Sequence, residues 1–306
     1  MDDKKIFGFE VGATKLIALV GDIKGNVYLK EYTKTSNKRS NLLLDQIEYF
    51  YKKFSEKFKP DYISVTFPAA IDKSGNIMHA PNLQGWNHKN LIRELRKRFK
   101  EKIFVDNDAK AQALAERLYG AGKYYSDFVY FTIGTGIGGA IFINGKLYRG
   151  YNGFAGEFGH MVIEENGPKC GCGRYGCLEA IASGRAIAKN AMMNLTKESI
   201  LNKENKKRIE GKEVFDALKK NDAYAKIIID KAVEDIAVGI ANIINIVDPE
   251  AIIIGGGLTK NGAYFINAIK KRVPIELAYY NRKVKIVKAK NDTVEKAPLA
   301  VVAYYK

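Results

Sequence analysis

The chain has 306 residues, 46% of them hydrophobic and 27% charged, with a formal net charge of +16. It is longer than one compact core usually needs, so two domains are expected, and it contains no apolar run of about 18 residues that could cross a membrane as a helix. A basic balance can mark nucleic acid or an anionic membrane as partner. Here the lysines and arginines are spread along the chain, and their densest stretches, 89–102 and 203–212, read as solvated helix faces, so neither partner is expected. The opening Met1, Asp2, Asp3, Lys4, Lys5 lacks the layout of a signal peptide, which predicts a cytoplasmic protein.

In chain order, residues 6–11 and 16–20 read as two strands around a glycine-containing turn, with a third strand at 27–34 after the Gly25 and Asn26 turn signal. Residues 41–58 have helical spacing, with Leu43, Leu44, Ile47, Phe50 and Phe54 on one stripe. A buried-type strand at 62–67 runs into Pro68. Helical 91–99 precedes a short strand at 103–105, and a helix follows at 109–119. The opening design then repeats: a strand at 129–133, glycines from Gly134 to Gly139, a strand at 140–143 and a tight turn at Asn144 and Gly145. Two copies of one unit predict an internally duplicated fold. Further on, 214–218 and 223–247 are helical, 251–254 is a strand, 283–287 is another, and 297–305 closes the chain as a helix with Pro298 in its first turn. The stretch 194–211 is loosely patterned and reads as an exposed insertion.

Several constellations carry chemistry. Backbone N–H groups in the turns at 12–15 and 134–139 can converge on a phosphate, with Thr14 and Thr135 as extra donors; each turn is equally compatible with an ordinary glycine hairpin. Neither has the spacing of a helix-opening P-loop. Gly255, Gly256 and Gly257 end an apolar strand and suit either a strand-to-helix turn or close approach of a nucleotide. Asp106, Asn107 and Asp108 also lie at a strand end, where an aspartate can cap the helix that follows or serve as a general base for phosphoryl transfer. The strongest signal joins His160 to Cys170, Cys172 and Cys177. One imidazole and three thiolates complete a tetrahedral zinc set, and with no position left for water the metal is expected to be structural.

These segments resemble the ROK family of sugar kinases and repressors over nearly the whole chain. The matching stretches are 8–15, 67–86, 106–108, 132–139 and the knuckle from Glu157 to Glu179. The resemblance implies an α/β, two-lobed actin-like ATPase (ribonuclease H-like) fold with internal duplication. Residues 1–110 and 292–306 are expected in the first lobe and 111–291, with the knuckle, in the second. It implies that Asp108 is the catalytic base, and that Asn82, Asn107, Glu157, His160 and Glu179 contact the sugar, His160 serving both sugar and zinc. Glu10, Gly12, Ala13, Thr14, Lys15, Gly134, Thr135 and Gly136 would hold magnesium and the ATP phosphates, and Gly255, Gly256 and Gly257 would lie near the adenosine. Two departures stand out. Glu10 and Ala13 replace the family's usual Asp and Gly, and Ala69 replaces the Gly usual after Pro68.

The expected activity is therefore ATP- and Mg2+-dependent phosphorylation of a hexose, most simply at the 6-OH of glucose or a relative, in a Zn2+-containing enzyme. A kinase for N-acetylmannosamine or N-acetylglucosamine is the near alternative, and a polyphosphate donor is compatible. A sugar-responsive repressor is not expected, because the first strand starts near Ile6 and leaves no room before it for a helix-turn-helix. The resemblance also implies a homodimer or homotetramer.

Overall fold

The structure is a computed structural model that describes residues 4–36, 40–80, 82–193, 195–202, 208–277, 283–290 and 292–306. Met1 to Asp3, Pro81, Asn194 and much of the basic stretch at 203–212 therefore lie outside the described residues. The chain forms two compact units, one made of 1–124, 147–155 and 290–306, the other of 125–146 and 156–289.

The first unit contains β1 (Ile6–Val11), β2 (Lys15–Gly21), β3 (Val27–Lys34), α1 (Ser40–Ser55), β4 (Tyr62–Phe67), the hairpin β5 (Ala70–Ile71) and β6 (Ile77–His79), α2 (Leu91–Arg96), β7 (Lys102–Asn107) and α3 (Asp108–Tyr119). Its sheet runs β3-β2-β1-β4-β7. The β1, β2 and β3 pairs are antiparallel, whereas β4 and β7 add in parallel. All six residues of β1 are buried, as a central strand covered on both faces requires, while edge strand β3 alternates exposed and half-buried residues. Phe7, Phe9, Ile63, Val65 and Phe67 pack on one face against the stripe of Leu43, Leu44, Ile47, Phe50 and Phe54 on α1. Removing a ring such as Phe54 from this core would cost about 3–5 kcal/mol. The basic faces expected around 89–102 are solvated, and Arg98 pairs with Asp45 and Glu48 at 2.6 and 2.7 Å.

The other face of this sheet is covered by α3 and by the closing helix of the chain, Ala297–Tyr305. Gly8 lets that helix settle: a Cβ there would stand 2.9 Å from both Pro298 Cβ and Leu19 Cδ1. The boundary expected at 110 falls inside α3. The whole helix belongs to the first unit because it packs along the closing helix and against β4 and β7.

The second unit repeats the plan with β8 (Phe128–Ile133), β9 (Ile137–Ile143), α4 (Leu178–Ala182), α5 (Gly184–Met193), α6 (Gly211–Lys219), α7 (Ala223–Val247), β11 (Ala251–Gly255), α8 (Ala263–Leu277) and β12 (Lys285–Lys288); the closing helix is α9. Strand β10 (Lys146–Tyr148) begins in this unit at Lys146 and runs into the segment 147–155 that belongs to the first. Its sheet runs β10-β9-β8-β11-β12, with β8 and β9 antiparallel and β11 and β12 added in parallel. The duplication expected from the glycine turns is thus a repeat of topology. β9 begins at Ile137 rather than 140, so Gly138 and Gly139 are strand residues and the turn itself shrinks to 134–136. Phe158 explains Gly139, because a Cβ there would collide with its ring. α7 starts under the Asp222 side chain, which accepts the Ala225 N–H at 2.8 Å, and packs against α4, α6 and α8. Of the expected insertion at 194–211, Ile200–Asn202 form one 3-10 turn. No helix among the described residues is long and apolar enough to cross a membrane.

Candidate active site

In the first unit, the end of β7 and the start of α3 organise the acidic groups. Asn107 is the residue that caps α3: its Oδ1 accepts the Lys110 N–H at 3.1 Å. The capping role considered for Asp108 therefore falls to its neighbour. Asn107 Nδ2 donates to the Ala69 carbonyl and to Asp108 Oδ1, each at 3.1 Å. Asp108 Oδ1 also accepts its neighbour's N–H, from Ala109, at 2.9 Å. The half-buried Asp108 thus has one oxygen fixed by two donors at the N-terminal end of α3.

Glu10 is the penultimate residue of β1 and is only 8% exposed. Burial, then the charges of Asp108 and Glu295, push its carboxyl up to about 8, against a hydrogen bond from Gln112 and the charge of Lys15. Its Oε2 is buried without a hydrogen-bond partner, as is Oγ1 of Thr66, its opposite number on β4. A buried, unpartnered carboxylate oxygen close to further carboxylates is the donor chemistry of a hard divalent cation, so Glu10 fits magnesium although it replaces Asp. The β1–β2 turn is held by Gly12 N–H to the Lys15 carbonyl at 2.8 Å, and by Thr35 through its N–H to Thr14 and its hydroxyl to the Gly12 carbonyl. Thr14 and Lys15 are exposed, and Lys15 Nζ stands 4.2 Å from the Tyr32 ring centroid. Neither Ala13 nor Ala69 has a positive φ, so neither departure from glycine strains the backbone. Asn82 is half-buried in the turn after β6, four residues before Trp86, whose ring packs edge-on against Phe67 at 5.3 Å.

In the second unit, Gly134, Thr135 and Gly136 form a turn joined to α5, since the Gly184 N–H donates to the Gly134 carbonyl at 2.8 Å. A Cβ on Gly136 would collide with Glu179 Oε2, the oxygen that accepts the Ile137 N–H at 2.9 Å. Glycine here lets Glu179 lie against the turn at 134–136. Gly255 ends β11, Gly256 turns with φ +93°, and Gly257 faces open space, with nothing within 4 Å of where a Cβ would stand. A Cβ on Gly134 would have the Gly257 nitrogen as its neighbour at 3.7 Å, so the turns at 134 and 257 adjoin.

The knuckle is built by close backbone turns. Cys170 N–H donates to the Arg174 carbonyl at 2.7 Å, and Gly173 N–H to the Cys170 carbonyl at 3.0 Å. Gly176 has φ +67°, and a Cβ there would collide with the Glu164 carbonyl oxygen. One ligand atom each from His160, Cys170, Cys172 and Cys177 lies within 4.8 Å of all the others. Cys172 and Cys177 sulfurs are 3.6 Å apart, and Cys170 Sγ is 3.6 Å from His160 Nδ1. A tetrahedral zinc with thiolates at about 2.3 Å has S···S edges of about 3.8 Å, so the set fits zinc, with Nδ1 as the imidazole ligand. Glu157 starts the 3-10 turn that carries His160, and Glu179 lies in the first turn of α4, two residues after Cys177. Glu157, His160, Glu179 and the three cysteines are therefore brought together within the second unit, and Glu10, Asn107 and Asp108 within the first.

Four residues near these groups were not legible in the sequence: Gln112, Glu295, Thr35 and Arg149. No short-range spacing marks them, because their partners come from other strands and helices.

The two sheets, each three antiparallel strands extended by two parallel ones, are those of the actin-like ATPase fold. A ROK-family glucokinase from Streptomyces griseus, solved with glucose and AMPPNP, superposes with a TM-score of 0.84 over 96% of this chain and 98% of its own, at 28% identity. Residues 6–299 match the ROK family, and the chain belongs to it. A glucokinase from Thermotoga maritima is 34% identical over 89% of this chain and 88% of its own length. A xylose repressor from Caldicellulosiruptor bescii is 31% identical over 98% of this chain and 78% of its own.

Proposed function

We propose that this protein is a sugar kinase that transfers the γ-phosphoryl group of ATP to a hexose hydroxyl, the 6-OH of glucose or a close relative. The observation that carries the reading is Asp108, presented at the start of α3 with one oxygen fixed by Asn107 and Ala109. That carboxylate takes the proton of the attacking hydroxyl as the oxygen bonds to phosphorus and ADP leaves in line. Asn107, tied to Ala69, sets the carboxylate's direction. Likeness to the glucokinases of Thermotoga maritima and Streptomyces griseus supports both glucose and ATP.

Asn82, Asn107, Glu157, His160 and Glu179 orient the sugar hydroxyls. Gly12, Ala13, Thr14, Lys15, Gly134, Thr135 and Gly136 bind the phosphates through backbone N–H and hydroxyl groups, and Gly255 to Gly257 leave room for the adenosine. Magnesium, held through Glu10, offsets phosphate charge when bound. Zinc, held by His160, Cys170, Cys172 and Cys177, supplies no reacting group and stiffens the segment from Glu157 to Glu179.

The test is ADP release with ATP and Mg2+ against glucose, mannose, fructose, glucosamine, N-acetylglucosamine and N-acetylmannosamine. Turnover of plain hexoses is the expected result. Turnover confined to an N-acetylated sugar moves the enzyme to amino-sugar metabolism. Silence across the panel, with sugar-dependent binding to duplex DNA, replaces the kinase reading with the repressor one.

A further inference from the structure

Asp106, two residues before Asp108, is 3% exposed, and a carboxylate that deep needs strong partners. Its Oδ1 accepts the Asn107 N–H at 2.8 Å, and its Oδ2 accepts a hydrogen bond from Arg149 Nη2. Arg149 belongs to the short segment 147–155 of the first unit. Its Nε donates to the Tyr305 hydroxyl at 2.8 Å, its Nη2 reaches the same oxygen, and its guanidinium carbon lies 5.1 Å from the Tyr305 ring centroid. Tyr305 ends α9, most of whose side chains are buried. The next residue back, Tyr304, accepts the Leu147 N–H at 2.9 Å through its hydroxyl, so the segment is tied to α9 twice. The carbonyl of Arg149 accepts the Ala155 N–H at 3.0 Å and closes the loop that leads in sequence to Glu157.

The contacts form one relay. Tyr305 holds Arg149, Arg149 holds Asp106, Asp106 holds the backbone of Asn107, and the Asn107 side chain holds Asp108. Asn107 ends β7, where it pairs with Phe67 of β4, and Asp106 adds a side-chain hydrogen bond to its N–H at the point where the chain leaves the strand for α3.

We propose that Arg149 is a positioning residue for phosphoryl transfer, which fixes the direction of Asp108 by pinning Asp106 to the end of α9. This rests on the reading of Asp108 as the general base. A buried ion pair with a structural role alone would change stability and leave turnover of the folded enzyme intact. A positioning pair changes kcat, because a shift of about 1 Å in a reacting group can cost up to about 100-fold.

The experiment compares wild type, Arg149→Met, Arg149→Lys, Tyr305→Phe, Asp106→Asn/Arg149→Met and Asp108→Asn as full chains. The readouts are kcat and KM for glucose and ATP, well below each variant's thermal midpoint. For Arg149→Met, kcat is expected to fall about 10- to 100-fold, with the glucose KM within about threefold of wild type. Arg149→Lys keeps a cation for Asp106 and should recover a clear part of that loss, and Tyr305→Phe should show a smaller one. A folded Arg149→Met with wild-type kcat, or an Arg149→Lys no faster than Arg149→Met, overturns the proposal. If Arg149→Met does not fold, Arg149→Lys and Tyr305→Phe decide, and wild-type kcat in both overturns it. The double variant leaves no charge unpaired; full recovery of kcat in it would also overturn the proposal, since the relay is absent there. Asp108→Asn separates the two claims. If it turns over like wild type, the base assignment and the relay built on it both fail; if it is inactive while Arg149→Met is not impaired, only the role of Arg149 falls.

Discussion

The side-chain amide of Asn107 donates to the main-chain carbonyl of Ala69 across 3.1 Å. It thereby joins the end of β7 to the turn after β4, while its Oδ1 caps α3. Replacing Asn107 with Ala removes both contacts and should cost about 1–2 kcal/mol in urea unfolding, together with a loss of kcat. Ala69→Gly leaves the accepting carbonyl in place. Since Ala69 has an ordinary φ, glycine relieves nothing and should destabilise by about 0.4–1 kcal/mol through the unfolded state.

Asp108→Asn keeps the shape of the side chain and removes the base. Turnover of glucose should fall by about 10²- to 10⁴-fold, while glucose affinity by titration calorimetry stays close to wild type. Retained turnover would remove Asp108 from the mechanism.

Cys172→Ser takes one thiolate from the knuckle. Wild type should carry about one zinc per chain by atomic emission, and the variant less. Glu157, His160 and Glu179 all lie on or beside this segment, so the glucose KM should rise as zinc is lost, and a strong chelator should do the same to wild type. A variant with unchanged zinc content and KM would rule out the metal site.

Glu10→Gln replaces the buried carboxyl suited to magnesium with an amide that cannot ionise on metal binding. The Mg2+ concentration for half-maximal rate should rise at constant MgATP saturation, and Glu10→Asp should lie much nearer wild type. An identical Mg2+ dependence in all three proteins would show that Glu10 holds no metal.

Asp22 gives a pH dependence of stability. Burial raises its carboxyl, but hydrogen bonds from Tyr28, the Asn26 side chain, and the N–H groups of Asn26 and Lys24 outweigh it, leaving a value below the ordinary 3.8. The native state therefore binds this proton less readily than the unfolded chain. The stabilisation is complete above about pH 4 and is lost as pH falls through the native value. Asp22→Asn should be about 1–2 kcal/mol less stable than wild type at pH 7, and the gap should narrow near about pH 3. An equal gap at both pH values would remove the ionised form of Asp22 as its source.

Local chemistry was legible in the sequence. The stripe on α1, the Pro298 start of α9 and the four candidate ligands of the knuckle each occupy a short stretch, where spacing fixes which side chains can meet. The extent of turns and helices was less so. Gly138 and Gly139 look like turn residues, but they pair with Thr132 and Phe131 of β8 as strand residues, and the Phe158 ring takes the place of a Cβ at Gly139. The helical pattern at 41–58 stops at Ser55, where the backbone turns so that Lys57 and Phe58 N–H donate to the Phe54 carbonyl. Helices α5 and α8 are not among the elements that the spacing predicts.

From residue order alone follow the duplicated α/β plan, the knuckle and its candidate ligands, and the acidic cluster at the end of β7. Each depends on neighbours a few residues apart, and short-range geometry is nearly the same in any fold. The tertiary structure decided that Asn107 caps α3, that Glu10 is buried beside Asp108 and Gln112, and that Arg149 reaches Asp106 across 43 residues of chain. Those contacts exist only because β1, β4 and β7 pair in one register and α3 and α9 cover the same face, and pairing between distant segments leaves no periodic mark in the sequence.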